Sequence, residues 1–440
     1  MQFNKVCILG LGYIGLPTAS IFASCGLDVM GVDTNPDVIS ILRNGGIHIS
    51  EPGLRDLVHK AVDSGRLRVS GTPEAADAFI IAVPTPFLED NQGSYKGQSY
   101  RLADMRAVKS AAESIVPHLR KDNLVVLEST SPPQTTLNLV QPILEKSGLK
   151  AGTDFYLAYS PERVLPGQII RELTENARVI GGIDKRSAEA GRDLYAHFVK
   201  GEIVLTDATT AEMVKLMENT YRDINIAIAN SFSKLAVRFG IDIWEAIRIA
   251  NRHPRVKILN PGPGVGGHCI SVDPWFFVEA APDLTELISA ARQVNDQQPH
   301  FVFNLVKQLF SNDLTGKNIV ALGLAFKPDV DDLRESPAIE VAKLLSKDGA
   351  IVRAYEPNKN DAHVAGVISA PTLEEAVKDA ELLLLLVGHR ELKELDPTKL
   401  LDLTPARLAV DTVGGWDRQS WSEAGFKLIR LGVGNSHQIK

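Results

Sequence analysis

Val6-Cys-Ile-Leu-Gly10-Leu-Gly12-Tyr13-Ile14-Gly15 runs into an apolar-periodic stretch to about Ala23, and Asp28-Val-Met-Gly-Val-Asp33 follows. The order is a buried strand, three glycines spaced G-x-G-x-x-G, a helix, a second strand and a terminal acid, the full context of a dinucleotide-binding βαβ unit. Gly10 makes the tight turn, Gly12 admits a pyrophosphate to the helix N-terminus, and Gly15 lets helix and strand pack closely. Asp33 suits the two ribose hydroxyls and would repel a 2′-phosphate, so NAD is expected over NADP. Cys7 and Cys25, inside this unit, are expected to be core residues.

The pattern continues outward. Phe79-Ile-Ile-Ala-Val-Pro84-Thr85-Pro, Asn123-Leu-Val-Val-Leu-Glu-Ser-Thr130 and Phe155-Tyr-Leu-Ala-Tyr-Ser-Pro-Glu162 read as strands with polar ends. Ligands of an open parallel sheet sit beyond the carboxyl ends of its strands, which puts Thr85, Thr130 and Glu162 on one functional edge. Each alone could be a cap or a surface group. From about Thr209 to Phe239 the pattern is one long helix, capped at Thr209 or Thr210 and ended by Gly240. Its apolar residues spread too widely for one stripe, which implies burial between domains or across a dimer. Lys215 and Asn219 share a face and suit oxyanion stabilisation, if that face looks into a cleft rather than solvent.

Asn260-Pro-Gly-Pro-Gly-Val-Gly266-Gly-His-Cys269-Ile-Ser-Val-Asp273 carries the third cysteine. Residues without Cβ permit tight folding and close approach of a ligand, so Cys269 is a candidate nucleophile. A small buried hydrophobe is the plainer alternative, and a metal site lacks a second Cys/His pair. Before it, Arg252, His253, Arg255 and Lys257 form a basic cluster that suits either an anion site or a solvated loop. A helix is expected from Leu284 to Phe310. A second α/β unit then begins at Asn318, with strands at 350–354, 382–387 and 408–410. Its first strand-to-helix connection holds Phe326, Lys327 and Arg334, where Lys327 and Arg334 suit a phosphate.

The architecture expected is therefore α/β, two Rossmann-like parallel-sheet domains joined by a long central helix. The boundaries are 1–205, 206–312 and 313–440. With 440 residues and a net charge of −7, the chain is no general nucleic-acid binder. Three cysteines are too few for a disulfide framework, and no apolar run approaches the ~20 residues of a membrane span. A cytoplasmic enzyme is the reading.

The ordered set G-L-G-Y-I-G, E-S-T-S-P, Y-S-P-E-R-V-L-P-G, A-E-M-V-K-L-M-E-N-T, G-P-G-V-G-G-H-C and L-A-F-K-P-D-V-D-D-L-R-E-S-P resembles the nucleotide-sugar 6-dehydrogenases along the whole chain. N-R-H-P-R-V and G-V-G-G-H-C-I-S-V-D-P-W-F most resemble the branch that oxidises N-acetylated sugars. The resemblance implies NAD-dependent, four-electron oxidation of a UDP-N-acetylhexosamine at C6, with UDP-N-acetylmannosamine the first choice, then UDP-N-acetylglucosamine and UDP-glucose. It implies a Cys269 thiohemiacetal and thioester, Glu162 as hydrolytic base and Thr130 positioning water. Lys215 and Asn219 would hold oxyanions, and Asp273 would assist Lys215 in removing the alcohol proton. Arg163, Val164, Gly266, Phe326 and Lys327 are implied at the sugar nucleotide, and Arg334 near the cofactor or a domain interface. Arg252 or Arg255, with His253, would reach the substrate of a neighbouring subunit in a homodimer. Service to a polysaccharide pathway is likewise implied.

Overall fold

A computed structural model describes residues 1–49, 51–165, 167–267 and 269–434; His268, beside the candidate nucleophile, lies outside the described residues. The chain divides into two units, Met1–Glu218 with Trp275–Leu284, and Asn219–Pro274 with Thr285 onward. One continuous helix, Ala208–Phe239, joins them.

In the first unit, eight strands are ordered β10-β9-β8-β7-β4-β1-β2-β3. They are β1 (Lys5–Leu9), β2 (Asp28–Val32), β3 (Leu67–Ser70), β4 (Ala78–Ile81), β7 (Leu124–Leu127), β8 (Tyr156–Tyr159), β9 (Arg178–Gly182) and β10 (Ile203–Asp207). A separate antiparallel hairpin of β5 (Phe87–Tyr95) and β6 (Gln98–Ala103) follows β4 and had no clear signal in the sequence. Strand alternation explains the near-continuous apolar runs: Val6 and Ile8 enter one core layer, Cys7 and Leu9 the other, so both sheet faces are covered. The expected all-parallel sheet has one exception, because β8 and β9 pair antiparallel.

The second unit repeats the plan with β11 (Asn318–Leu322), β12 (Ile351–Tyr355), β13 (Ile368–Ser369), β14 (Leu382–Leu385), β15 (Leu408–Asp411) and β16 (Lys427–Arg430), ordered β13-β12-β11-β14-β15-β16. Every pairing here is parallel.

Three local expectations are corrected. Cys7 is buried, but Cys25 is exposed, because it stands at the C-cap of the first helix, Gly15–Ser24. The long helix is capped by Asp207, which accepts from the Thr210 N–H at 2.9 Å; its carboxylate outreaches the threonine hydroxyls. The single helix expected over 284–310 is two, Glu286–Asp296 and Gln298–Leu309, since Pro299 has no N–H to continue the first ladder. Among the described residues, no helix is long and apolar enough to cross a membrane.

Candidate active site

The cofactor cradle begins at Gly10, whose φ is +95° and whose added Cβ would meet the Ala82 carbonyl oxygen at 2.4 Å. At Gly15 an added Cβ would lie 1.8 Å from the Gly10 oxygen, whereas at Gly12 it would meet nothing within 4 Å. Thus Gly10 and Gly15 are required by packing. Gly12 keeps an open approach to the helix N-terminus, which is what a pyrophosphate needs. Asp33 accepts from the Leu11 N–H at 3.0 Å and the Asn35 N–H at 2.9 Å, which aims its carboxylate while leaving lone pairs for ribose hydroxyls. These residues fit NAD. Tyr13 and Ile14 are half-buried on the same turn.

The neighbouring strand ends are tied together. The Thr85 hydroxyl donates to the Thr130 carbonyl at 2.7 Å, and the Ser129 hydroxyl to the Val83 carbonyl at 2.7 Å. Pro84 is exposed beside them. Glu162, after β8, is only 10% exposed, and Arg178 donates to it at 2.9 Å. The next residue, Arg163, pairs with Glu218 at 2.7 Å, and Val164 packs against the core of this unit. Lys215 and Asn219 are 8% and 7% exposed on the long helix, one turn apart.

In the second unit, the glycine loop is held from both ends. Gly262 donates to the Asn230 side chain at 3.0 Å, and Gly267 to the Arg334 carbonyl at 3.0 Å. A Cβ on Gly266 would meet the Glu335 carbonyl oxygen at 2.4 Å, and one on Gly267 the Phe326 ring at 2.6 Å. These two glycines therefore admit the chain's own Phe326–Glu335 connection, the tight folding expected of residues without Cβ. Cys269 is half-buried, and its carbonyl accepts from Val272 at 3.0 Å and Asp273 at 2.8 Å, leading into the helix Asp273–Ala280. Asp273, 1% exposed, accepts from the Asn219 amide at 2.6 Å, so the cysteine loop is bonded to the long helix.

Lys327 is half-buried, its Nζ 5.6 Å from the Phe326 ring centroid, and Arg334 is gripped by Asp332 at 2.6 Å. Arg252, His253 and Arg255 are exposed on a turn pinched shut by Asn251, which donates to the Ile258 carbonyl at 2.8 Å and accepts from its N–H at 2.7 Å. The basic cluster is thus a fixed loop.

Sequence reasoning missed two buried clusters. In the first unit, Glu128, Arg178 and Tyr195 stand behind Glu162. In the second, Glu356 takes the place that Asp33 holds in the first. Gly323 donates to the Tyr355 carbonyl at 2.9 Å as Gly10 does to Val32 at 2.8 Å. Glu356 accepts from Leu324 at 2.7 Å, Ala325 at 2.8 Å and Asn358 at 3.0 Å, and meets His389 at 3.1 Å. Glu356 is 3% exposed and three of these partners share its Oε2, so it is not open to a ribose as Asp33 is.

Residues 4–199 match the NAD binding domain of the UDP-glucose/GDP-mannose dehydrogenase family, 209–297 its central domain and 320–418 its UDP binding domain. The chain is 48% identical over 412 residues to a UDP-N-acetyl-D-mannosamine dehydrogenase of Campylobacter jejuni, covering 91% of this chain and 99% of that one. It is 45% identical over 426 residues to an NDP-N-acetyl-D-galactosaminuronic acid dehydrogenase of Ralstonia solanacearum, covering 94% and 97%. The solved UDP-N-acetyl-mannosamine dehydrogenase of Staphylococcus aureus is 43% identical, with a TM-score of 0.86 over 98% of this chain and 99% of that one. With matches to all three of its domains in order, the chain belongs to the UDP-glucose/GDP-mannose dehydrogenase family and is an NAD-dependent nucleotide-sugar dehydrogenase.

Proposed function

We propose that this dehydrogenase oxidises the C6 hydroxyl of UDP-N-acetyl-D-mannosamine to the carboxylate, in two steps, with the intermediate held on Cys269. The observation that carries the covalent route is the bonding of the cysteine loop: Cys269 opens a helix whose first residue, Asp273, is bonded to Asn219 at 2.6 Å. A cysteine whose loop is anchored to the long helix through a buried acid–amide pair suits covalent capture better than a structural role. The choice of sugar is supported by the names of relatives such as the Campylobacter protein.

Bound NAD supplies the two-electron acceptor for each oxidation. Lys215, assisted by Asp273, takes the proton of the C6 hydroxyl. The Cys269 sulfur then bonds to the aldehyde carbon, and the resulting oxyanion is held by Lys215 and by the amide hydrogen of Asn219 that Asp273 does not use. Loss of a second hydride from this thiohemiacetal oxyanion re-forms the carbonyl and gives a thioester. Glu162 takes a proton from a water positioned by Thr130; the water oxygen bonds to the carbonyl carbon and the C–S bond breaks, freeing the thiolate and the uronate. Lys327, Phe326, Gly266, Arg163 and Val164 contact the sugar nucleotide, and Arg334 serves the cofactor. A uronate product suits incorporation into a polysaccharide.

The test is NADH formed per sugar consumed, with UDP-N-acetylmannosamine, UDP-N-acetylglucosamine, UDP-N-acetylgalactosamine and UDP-glucose in parallel. Two NADH per UDP-N-acetylmannosamine, with the others slow, is the expected result. One NADH per sugar sinks the thioester route, and preference for the galacto sugar, favoured by the Ralstonia relative, sinks the sugar assignment.

The same reading includes a homodimer. The long helix is not apolar all round: it buries Glu212, Lys215, Leu216, Asn219 and Asp223, and leaves Met213, Met217, Tyr221, Ile228, Phe232, Leu235 and Phe239 exposed. Those residues recur at three-, four- and seven-residue steps, one face that a second copy of the same helix can cover. Tyr221 is 63% exposed and Phe239 73%, too much apolar surface in one line for water. A dimer would also let Arg252, His253 or Arg255 serve the neighbour's substrate. Light scattering should give twice 47.9 kDa for the wild type and 47.9 kDa for a Tyr221→Glu/Phe232→Glu variant; a monomeric wild type would end the idea.

A further inference from the structure

Arg178, the first residue of β9, is 5% exposed and uses all three guanidinium nitrogens inside the first unit. Nε donates to the Ser160 hydroxyl at 2.9 Å, Nη1 to Glu162 Oε2 at 2.9 Å, and Nη2 to Glu128 Oε1. The Tyr195 ring centroid lies 3.8 Å from the guanidinium carbon. The Tyr195 hydroxyl donates to Glu128 Oε1 at 2.8 Å, while Glu128 Oε2 has no hydrogen-bond partner among the described residues. Glu162 Oε1 accepts from the Arg163 N–H at 2.7 Å. One cation therefore faces two carboxylates, Glu128 wholly enclosed and Glu162 slightly open. A second nearby cation, Arg163, is committed to Glu218 at 2.7 Å.

We propose that Glu128 is a positioning residue for the hydrolytic half of the reaction, sharing the Arg178 charge with Glu162 so that Glu162 keeps enough basicity to take a proton from water. A carboxylate that owns a buried guanidinium outright is a poor proton acceptor, because the cation favours its charged form. Dividing that cation between two acids relieves the effect. No bond to the substrate is made by Glu128; it acts through Arg178 alone. Burial pushes Glu128 up to about 7, against the pull of Arg178 and with the repulsion of Glu162, while Tyr195 is held neutral by its own burial. As the pH rises through this value, Glu128 loses its proton, the cluster gains a negative charge, and Arg178 is shared between two carboxylates instead of facing Glu162 alone.

The inference rests on the reading of Glu162 as base, and its test separates the two. Acyl-enzyme on Cys269 is followed by intact-mass spectrometry in rapid-quench single turnovers of full-length protein with NAD and UDP-N-acetylmannosamine, from pH 5.5 to 9. Glu128→Gln keeps the shape and an oxygen for Arg178 and Tyr195 but removes the charge. Thioester hydrolysis should slow by about three- to ten-fold at pH 8, and the inflection near 7 should vanish, with KM for the sugar unchanged. Glu128→Asp, which keeps the charge, should restore part of the rate and the inflection. A Glu128→Gln profile superimposable on wild type, or one merely scaled at every pH with the inflection intact, overturns the coupling. Should Glu162→Gln hydrolyse its acyl-enzyme at the wild-type rate, the base assignment fails instead, and the coupling with it.

Discussion

A Cys269→Ala enzyme is expected to yield at most one NADH per UDP-sugar and to lose at least about 10³-fold in kcat for the complete reaction. Removing a proton and a hydride from an alcohol needs no thiol, so the first oxidation survives in chemical principle. The second does not, because an aldehyde gives up a hydride only after a nucleophile has added to it. The substitution should be structurally mild: Cys269 is half-buried, and the bonds that fix its loop use its carbonyl, which alanine retains. Stability should stay within about 0.5 kcal/mol of wild type. Stopped-flow NADH absorbance gives the stoichiometry, and mass spectrometry shows whether an adduct forms on wild type alone. Two NADH per sugar at an undiminished rate from Cys269→Ala would mean a route without a covalent intermediate.

What could be read in the sequence differs by the kind of physics involved. Gly10 and Gly15 are legible because no side chain fits where the backbone of β1 passes its helix and β4, and the constraint recurs at fixed spacing. The cysteine loop was legible as a tight, glycine-rich feature, but what it packs against was not. Its glycines make room for Phe326 and the Glu335 carbonyl, 59 positions beyond Gly267 and 69 beyond Gly266, and no local pattern announces such a partner. Glu128 directly follows an apolar strand run, and Arg178 begins another, yet in sequence a buried charge is indistinguishable from a solvated one. Only the order β9-β8-β7 brings those two strand ends and Glu162 together. The exposed line on the long helix was likewise hidden, because counting apolar residues round the helix cannot show which of them the chain itself covers.

The two Rossmann-like units show how a small difference separates their ligands. Both place a glycine after the first strand and an acid after the second, with matching backbone bonds. The first connection, 10–14, is short and leaves Asp33 half-open. The second, 323–336, is long, and the N–H groups of Leu324 and Ala325 share Glu356 Oε2 with His389, while the Asn358 N–H donates to Oε1. With that acid enclosed, the contact proposed between the second unit and the sugar nucleotide falls to Lys327 in the long connection.

Arg178→Met should be among the most destabilising single changes in the first unit, lowering its unfolding free energy by about 3–5 kcal/mol, because removing one partner of a buried ion pair strands the other. Here it strands two: Glu128 at 0% side-chain exposure and Glu162 at 10%. Methionine fills much of the volume and keeps contact with the Tyr195 ring, so the loss is chiefly electrostatic. The sign of its pH dependence follows from burial. Glu128 is already raised to about 7, so its contribution to stability is fully present below the ordinary carboxylate range and is lost as pH rises through the folded value. Without Arg178, Glu128 loses the cation that pulls it down and is raised further, and the deficit of the variant should be greater at pH 8 than at pH 5.5. Since the chain has two units, the quantity to follow is the shift of the first-unit transition in calorimetry rather than a single global free energy. Adding Glu128→Gln to Arg178→Met should recover part of the loss, because a neutral amide needs no cation. An Arg178→Met deficit that is the same at both pH values, or that Glu128→Gln deepens, would show that Arg178 acts by packing and that the two carboxylates are not coupled through it.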